Sequence, residues 1–361
     1  MAKVIFNRKA DFFNSLKKSV DNYFTTNNIK KTGNWELYTK TLVLVPMALG
    51  IYITLLLVPT MAVLPALGLC VLFALVAASI GFNVMHDACH GSYSTKTWVN
   101  DLVGLSLNAL GGNAYIWKFK HNVIHHTYTN IEGLDDDIAN HPILRMCSSQ
   151  EWKPAHRFQS TYLLVVYAIS TIAWMFVLDY VKYFSRKIHI SDMPKMSTKE
   201  HTIFWVSKIL YNIFYVALPI YFLGVTNWFV GFMLMHAVLG IVTAIVFQLA
   251  HVVEETKFEV LGIDETHIEN EWAVHQLMGT ANFARKDKLV SWYVGGLNYQ
   301  IEHHLFPRIS HVHYPALSKI VKDACDQFDI AYNESPTMWK AIVSHFSLIN
   351  QMGKKPQMVM A

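Results

Sequence analysis

The sequence predicts an all-α integral membrane protein with four transmembrane helices in two hairpins and a histidine-rich di-metal site on one side of the membrane. Three observations carry that expectation. The chain is 53% hydrophobic but only 16% charged, where an ordinary soluble domain is about 25% charged. Its apolar residues gather into five long runs. Many of its 18 histidines, in 361 residues, fall in three short clusters just outside those runs. A formal charge of +4 is too small to suggest nucleic acid as a partner. Cys70, Cys89, Cys147 and Cys325 form no CxxC pair, so neither a disulfide framework nor a zinc-ribbon spacing is expected.

Residues 1–40 are polar and basic, with Lys17, Lys18, Lys30 and Lys31. They predict a cytosolic lead-in with a short amphipathic helix near 10–24. No apolar core or small-residue cleavage site follows Met1, so no signal peptide is expected. Spans are expected at about 42–60 and 63–85. A membrane helix needs roughly 20 residues to cross ~30 Å of hydrocarbon, and neither run has the polar face of a soluble hairpin. Residues 102–117 are apolar but rich in Gly and Asn, including Gly104, Asn108, Gly111, Gly112 and Asn113. They are expected at the interface or in the core. Leu134-Asp135-Asp136-Asp137 reads as a solvated turn. An apolar run at 162–180 follows, and then spans at about 203–223 and 228–250 separated by Gly224-Val225-Thr226-Asn227. From His251 the chain is polar, which leaves 41–320 as the membrane domain and 321–361 as a cytosolic tail.

Parity restricts the topology. Three apolar runs lie between the second and third histidine clusters. If all three crossed, the third cluster would face the wrong side for a shared site. The run at 162–180 is expected not to cross, because it carries Ser170, Thr171 and Trp174 and ends in Asp179, Tyr180, Lys182 and Tyr183. Aromatic and basic residues of that kind favour the interface. Both termini and all three clusters then share the side on which Lys and Arg crowd, the cytosolic one.

The clusters are His86-Asp87-Ala88-Cys89-His90, His121-Asn122-Val123-Ile124-His125-His126 and Gln300-Ile301-Glu302-His303-His304. His86 and His90 are four apart and share a helix face, as do His121 and His125, with His126 extending the set. Gln300, His303 and His304 stand at i, i+3 and i+4. One such pair is ordinarily a satisfied interfacial histidine. Three on one membrane side present seven imidazoles and one amide, and neutral imidazoles gather around metal. That donor count exceeds the four of a zinc site, so two metals are implied. Imidazole suits iron, zinc, copper and nickel alike.

HDACH, HNVIHH and QIEHH, in this order, resemble the histidine boxes of the membrane fatty acid desaturase family. Trp117-Lys118-Phe119-Lys120, Thr129-Asn130 and Gly295-Gly296-Leu297-Asn298-Tyr299 fit the same family. The likeness runs from about residue 40 to 320. It implies four membrane helices under a cytosolic cap and a non-haem di-iron centre. It also implies that O2 and two electrons remove two hydrogens from an acyl chain. Gln300 stands where many members have His and resembles the front-end subgroup, which works between an existing double bond and the carboxyl end. Many of that subgroup carry a fused haem domain with a His-Pro-Gly-Gly motif. The motif is absent here, so the resemblance implies a separate electron donor, a ferredoxin or cytochrome b5. The second box has three residues before its His pair where two are common, which bears on regiochemistry. The family also uses a histidine at the end of its last membrane helix. His251 stands there, with His275 as the rival. The implied metal ligands are therefore His86, His90, His121, His125, His126, His251, Gln300, His303 and His304.

His236 lies mid-membrane and is expected to pack in the core. His311 and His313 are expected at the surface. Asp87, Glu254, Glu255 and Glu302 are candidates to orient the ligands. The rivals to a desaturase are a membrane di-iron hydroxylase or ketolase, and a non-enzymatic metal-binding membrane protein. The sequence leaves open whether the acyl chain is carried on CoA, a phospholipid or a sphingolipid.

Overall fold

The computed structural model describes residues 4–139, 143–262 and 266–356. The ends of the expected lead-in and tail, 1–3 and 357–361, lie outside them. The lead-in is tied down at its start, where Ile5–Phe6 pairs in parallel with His267–Ile268. Helix α1 (Asp11–Thr26) follows. Phe12, Leu16, Val20 and Phe24 recur every four residues along it and are buried. They pack in one cluster with Ile301, Leu305 and Tyr314, so the amphipathic helix lies over the third histidine box. Each such burial is worth roughly 1.5–3 kcal/mol.

Helix α2 (Trp35–Leu57) starts on Asn34, whose side chain accepts from the Glu36 amide, a normal N-cap. Leu42, Val43, Leu49, Ile53 and Leu57 of this helix stay exposed, as an apolar helix facing lipid requires. Helix α3 (Val63–Cys89) spans 27 residues, and its last part carries His86. Short helices α4 (Thr97–Gly104), α5 (Ser106–Ala109) and α6 (Ala114–Lys118) come next. Leu107, Asn108, Ala114, Ile116 and Trp117 are buried among them, which agrees with an interface or core segment.

Helix α7 (Pro154–Ser185) and helix α8 (Thr198–His251) complete the set of four that are long and apolar enough to cross a membrane. This set differs from the expected one. The two late spans are one continuous helical stretch that breaks at Gly224, where φ is 78° and ψ is 163°. Trp228 Nε1 donates to the Tyr215 carbonyl at 2.9 Å and Tyr211 Oη meets His236 Nε2 at 3.0 Å. Residues that far apart on one straight helix could not touch, so the limbs 198–223 and 225–251 fold back on each other as a hairpin. The run at 162–180, by contrast, belongs to the 32-residue α7, which qualifies as a span by length and composition.

The two ends of α7 nevertheless meet the same side of the molecule. Near its start, Gln159 donates to the Arg145 and Ile349 carbonyls. Near its end, Lys182 pairs with Asp136 at 2.9 Å, next in sequence to the Asp135 that faces His125. Midway, α7 crosses the second limb of α8 closely. A Cβ on Gly240 would lie 2.3 Å from the Tyr167 carbonyl oxygen, so only glycine permits the approach.

Helices α9 (Trp272–Gly279), α10 (Lys288–Tyr293) and α11 (Gln300–Leu305) form the layer that carries the third box. Helices α12 (Tyr314–Gln327) and α13 (Met338–Gly353) pack on that layer. Residues 321–356 are thus folded structure where a tail was expected. Leu317, Val321, Ala324 and Cys325 in α12 are buried. Their helical spacing is hidden in the sequence by the charged residues between them.

Candidate metal centre

The local backbone around two boxes is unusual. Gly81–Met85 and Phe119–His125 are π-helical, a wide turn that concentrates at functional sites. The first brings His86 out of α3, with His86 to Cys89 forming a last α-turn and His90 capping it. The second contains His121 and His125, whose rings stack with centroids 5.3 Å apart. The simple α-helical stripe expected for this box is therefore not what forms it. His303 and His304 stand on α11, and His251 is the last residue of α8.

These residues converge. Ligand nitrogens of His86, His90, His121 and His303 lie within 4.8 Å of one another, as do those of His125, His251 and His304. His126 forms a third such group with His303 and His304, bridging the first two. All eight imidazoles are buried. Gln300 is also buried, at the start of α11. The structure thus brings the three boxes to one place.

The second nitrogens of His125, His251, His303 and His304 are anchored, whereas His126 Nδ1 is buried with no hydrogen-bond partner among the described residues. His125 Nδ1 lies 3.0 Å from Asp135 Oδ2, and His251 Nδ1 lies 3.2 Å from the Gly279 carbonyl. His304 Nδ1 meets Gln276 Oε1 at 2.8 Å, and His303 Nδ1 meets Tyr314 Oη at 3.1 Å. A carboxylate and a carbonyl only accept, so His125 and His251 carry their protons on Nδ1. Their Nε2 atoms then face each other at 3.3 Å as two lone pairs. Such a pair needs a positive charge between its members, a proton in the metal-free chain or a metal ion. His86 Nε2, His90 Nε2, His303 Nε2 and His304 Nε2 are buried with no hydrogen-bond partner among the described residues. In His303 and His304 the orphaned inward nitrogen stands with an anchored outward one, the pattern metal-ligating histidines show. The residues fit a metal.

Burial, reinforced by neighbouring imidazoles, holds His121, His126, His303 and His304 well below the ordinary value of 6.5. They are neutral at pH 7, the form a metal binds. His125 moves the other way. Burial is the largest influence and lowers it, but the Asp135 and Asp137 carboxylates together outweigh burial and raise it.

Several expectations need correction. The acidic turn is not solvated: Asp135 is fully buried and Asp136 nearly so. Asp135 is the carboxylate that holds the His125 ring. The four carboxylates proposed for that role face elsewhere. Asp87 meets Ser310 and His311, and Glu302 accepts from Tyr332 and Asn282. Glu254 accepts from Ser347 and Gln351, and Glu255 accepts from Ser335 and Ser344. His311 and His313 are buried, not superficial. The turn at Ser310 tucks them under α1 and α2, where His313 Nε2 meets the Thr32 carbonyl at 3.1 Å. His275, the rival to His251, spends Nε2 on the Thr129 carbonyl at 2.8 Å. His236 packs in the core between Thr171 and Tyr211. Sequence reasoning missed Gln276 and Tyr314, which orient His304 and His303. Nothing local marks either one. Asp135 did carry a signal, its place just beyond the second box.

The family model described as "Fatty acid desaturase" matches residues 61–336. Among curated proteins, the chain is 33% identical over 358 residues to the sn-1 linoleoyl-lipid 6-desaturase of Arthrospira platensis, covering 99% of this chain and 96% of the relative. It is 33% identical to the protein of the same description from Synechocystis, with 98% of each covered. It is 31% identical to the acyl-lipid (8-3)-desaturase of Physcomitrium patens, covering 95% of this chain and 72% of that protein.

Proposed function

This chain belongs to the fatty acid desaturase family, and from that premise we propose that it is a front-end acyl-lipid desaturase. Membership makes it an oxidoreductase acting on fatty acyl chains. We place its new double bond between an existing one and the carboxyl end, on a chain held in a membrane lipid. The support is the full-length likeness to two proteins described as linoleoyl-lipid 6-desaturases. The observation that carries the chemistry is the buried cage of eight inward imidazoles.

We assign two irons to that cage. His86, His90, His121 and His303 would hold one, and His125, His251 and His304 the other, with His126 between them. We add Gln300, buried at the start of α11, as a further amide ligand. Bound iron would supply the oxidising power, with O2 and two electrons from a separate ferredoxin or cytochrome b5, because no side chain can attack an unactivated C–H bond. The chain's own part is to position and exclude. Trp117 stacks on His121 with centroids 4.4 Å apart and also touches His86 and His90, closing one side of the cage against water. Leu107, Met85 and Cys89 pack with Trp117 and form an apolar wall beside which one C–C bond can be held.

For topology we propose four crossings: α2, the membrane part of α3, and the two limbs of α8. Helix α7 then packs into the membrane layer at Thr171 without completing a crossing, its two ends beneath a cytosolic cap, and both termini are cytosolic. The contacts at the two ends of α7 support this reading.

The test is expression in a desaturase-deficient host fed defined fatty acids, with new double bonds located by mass spectrometry. A product two hydrogens lighter, unsaturated on the carboxyl side of an existing double bond, is expected. A product one oxygen heavier would make it a hydroxylase. No product from folded, iron-loaded protein would refute the reading.

A further inference from the structure

The first histidine box is braced from behind by a buried chain of charged groups. Lys40 of α2 is 4% exposed. Its ammonium donates to Asn83 Oδ1 at 2.9 Å and to His311 Nε2 at 3.0 Å. On the far side of that ring, His311 Nδ1 lies 3.0 Å from Asp87 Oδ1. The other Asp87 oxygen accepts from Ser310 Oγ at 2.6 Å and from the His311 amide at 3.3 Å. Asn83 donates in turn to the Ser79 and Tyr293 carbonyls. The ammonium can only donate, so His311 Nε2 is its acceptor, and His311 Nδ1 is left within ion-pair distance of the carboxylate without a hydrogen bond aligned between them.

Burying an ammonium and a carboxylate is costly, and an apolar pair of similar volume packs as well or better. The arrangement therefore calls for a role in geometry. Its members come from three places: α2, the turn that carries the first box, and the loop just after the third. Asp87 sits between His86 and His90 in sequence, and Ser310 and His311 follow α11. Across the cage, the His303 ring lies 4.5 Å from that of His86 and 4.9 Å from that of His90, centroid to centroid. The charged chain spans the same gap one layer out.

We propose that Lys40, His311 and Asp87 form a latch that fixes the first box against the third, and so sets how tightly His86, His90 and His303 hold their shared metal. The three are positioning residues. The inference rests on the reading of the cage as a metal centre, and it deepens that reading.

The experiment uses the purified full chain in lipid nanodiscs, stripped of metal and titrated with Fe2+ under anaerobic conditions. Co2+ is then added to a second sample for its ligand-field absorption. Lys40→Met, His311→Leu and Asp87→Asn are each expected to weaken one of two Fe2+ affinities 10–100-fold and to shift the cobalt bands. The double variant Lys40→Met with Asp87→Asn leaves no buried charge unpaired and is expected to lose less than the two single losses multiplied together. A packing role would not produce that recovery. Lys17→Ala, on the exposed face of α1, is expected to bind as the parent does. If Lys40→Met does not accumulate folded, Lys40→Gln removes the charge while keeping a donor and is read the same way. Wild-type affinity and unshifted cobalt bands in the single variants would overturn the latch, as would losses that simply multiply. Parent protein that binds two Fe2+ but makes no double bond would refute the desaturase reading and leave the latch standing.

Discussion

Replacing Asp135 by Asn is the sharpest test of how the cage is held. Each oxygen of this fully buried carboxylate already accepts a backbone donor. Oδ2 takes the Asn130 amide at 3.0 Å and Oδ1 takes the Asp137 amide at 3.0 Å. His125 Nδ1 lies 3.0 Å from Oδ2 and 3.3 Å from Oδ1. Asparagine has one acceptor oxygen, so either flip points an NH2 group at a backbone N–H. An unsatisfied buried donor costs roughly 1–3 kcal/mol, and that is the expected loss of stability. In the flip that presents NH2 to His125, Nδ1 must accept instead of donate. The proton moves to Nε2, the nitrogen that faces His251, and that nitrogen can no longer bind metal. A ligand's lost partner ordinarily costs about 10–100-fold in metal affinity. Iron content should fall from two toward one per chain at limiting Fe2+, while α-helix content by circular dichroism is retained. Asp135→Asn protein that binds two irons with parent affinity and unfolds at the parent temperature would refute the reasoning.

Three further outcomes follow from other parts of the fold. Gly295 has φ of +59°, and a Cβ there would lie 2.5 Å from the Phe82 carbonyl oxygen. Gly295→Ala should therefore combine left-handed strain of ~1–2 kcal/mol with overpacking of ~1–3 kcal/mol, read as a lowered Tm. His251→Gln should lose one iron per chain. His275→Gln should keep both and lose only some stability at Thr129, and equal iron loss in the two would contradict the assignment. Burial pushes His345 down to about 4 from 6.5, between Tyr167 Oη and the Val252 carbonyl. Its folded value lies below its unfolded one, so its contribution is full above pH 6.5 and drains away as pH falls through 4. That contribution is on the order of 3 kcal/mol. His345→Gln should flatten this part of the acid limb in denaturation measured from pH 7 to 4.

What the sequence made legible was local. Apolar runs long enough to span, and imidazoles at helical spacing, are both set by residues a few positions apart. The convergence of the boxes was legible as well, because three imidazole clusters in one chain have little reason to exist except around a shared metal, and their nitrogens do come together. The rest depended on distant partners. Asp135 looked like part of a solvated turn, but Asn130 and Glu132 pair with Glu259 and fold the turn under the second box. His311 and His313 looked superficial because Lys40 and Thr32, which they meet, lie more than 250 residues earlier. Residues 321–356 read as a tail because the apolar positions of α12 and α13 are spaced among charges. Helix α7 qualifies as a span by length and composition, as α2 and α3 do, and the polar and aromatic residues at its end do not alter that.

The distribution of charge around the cage explains how such a site can form at all. The inward donors are imidazoles, and those of His121, His126, His303 and His304 are held neutral by burial. Assembling them without metal therefore does not force like charges together, as a ring of carboxylates would. The anions stand one layer out: Asp135 behind His125, and Asp87 between the first box and the His311 ring. At that distance they still attract a cation in a medium of low dielectric, yet each has its own donors and does not depend on the metal for them. The cage can thus be built by the fold before the metal arrives, which a small zinc domain that folds only on binding cannot do. The same placement makes the outer residues the ones that tune the metal. A change at Asp135 or Lys40 alters a fixed charge, whereas a change at an inward imidazole removes a ligand.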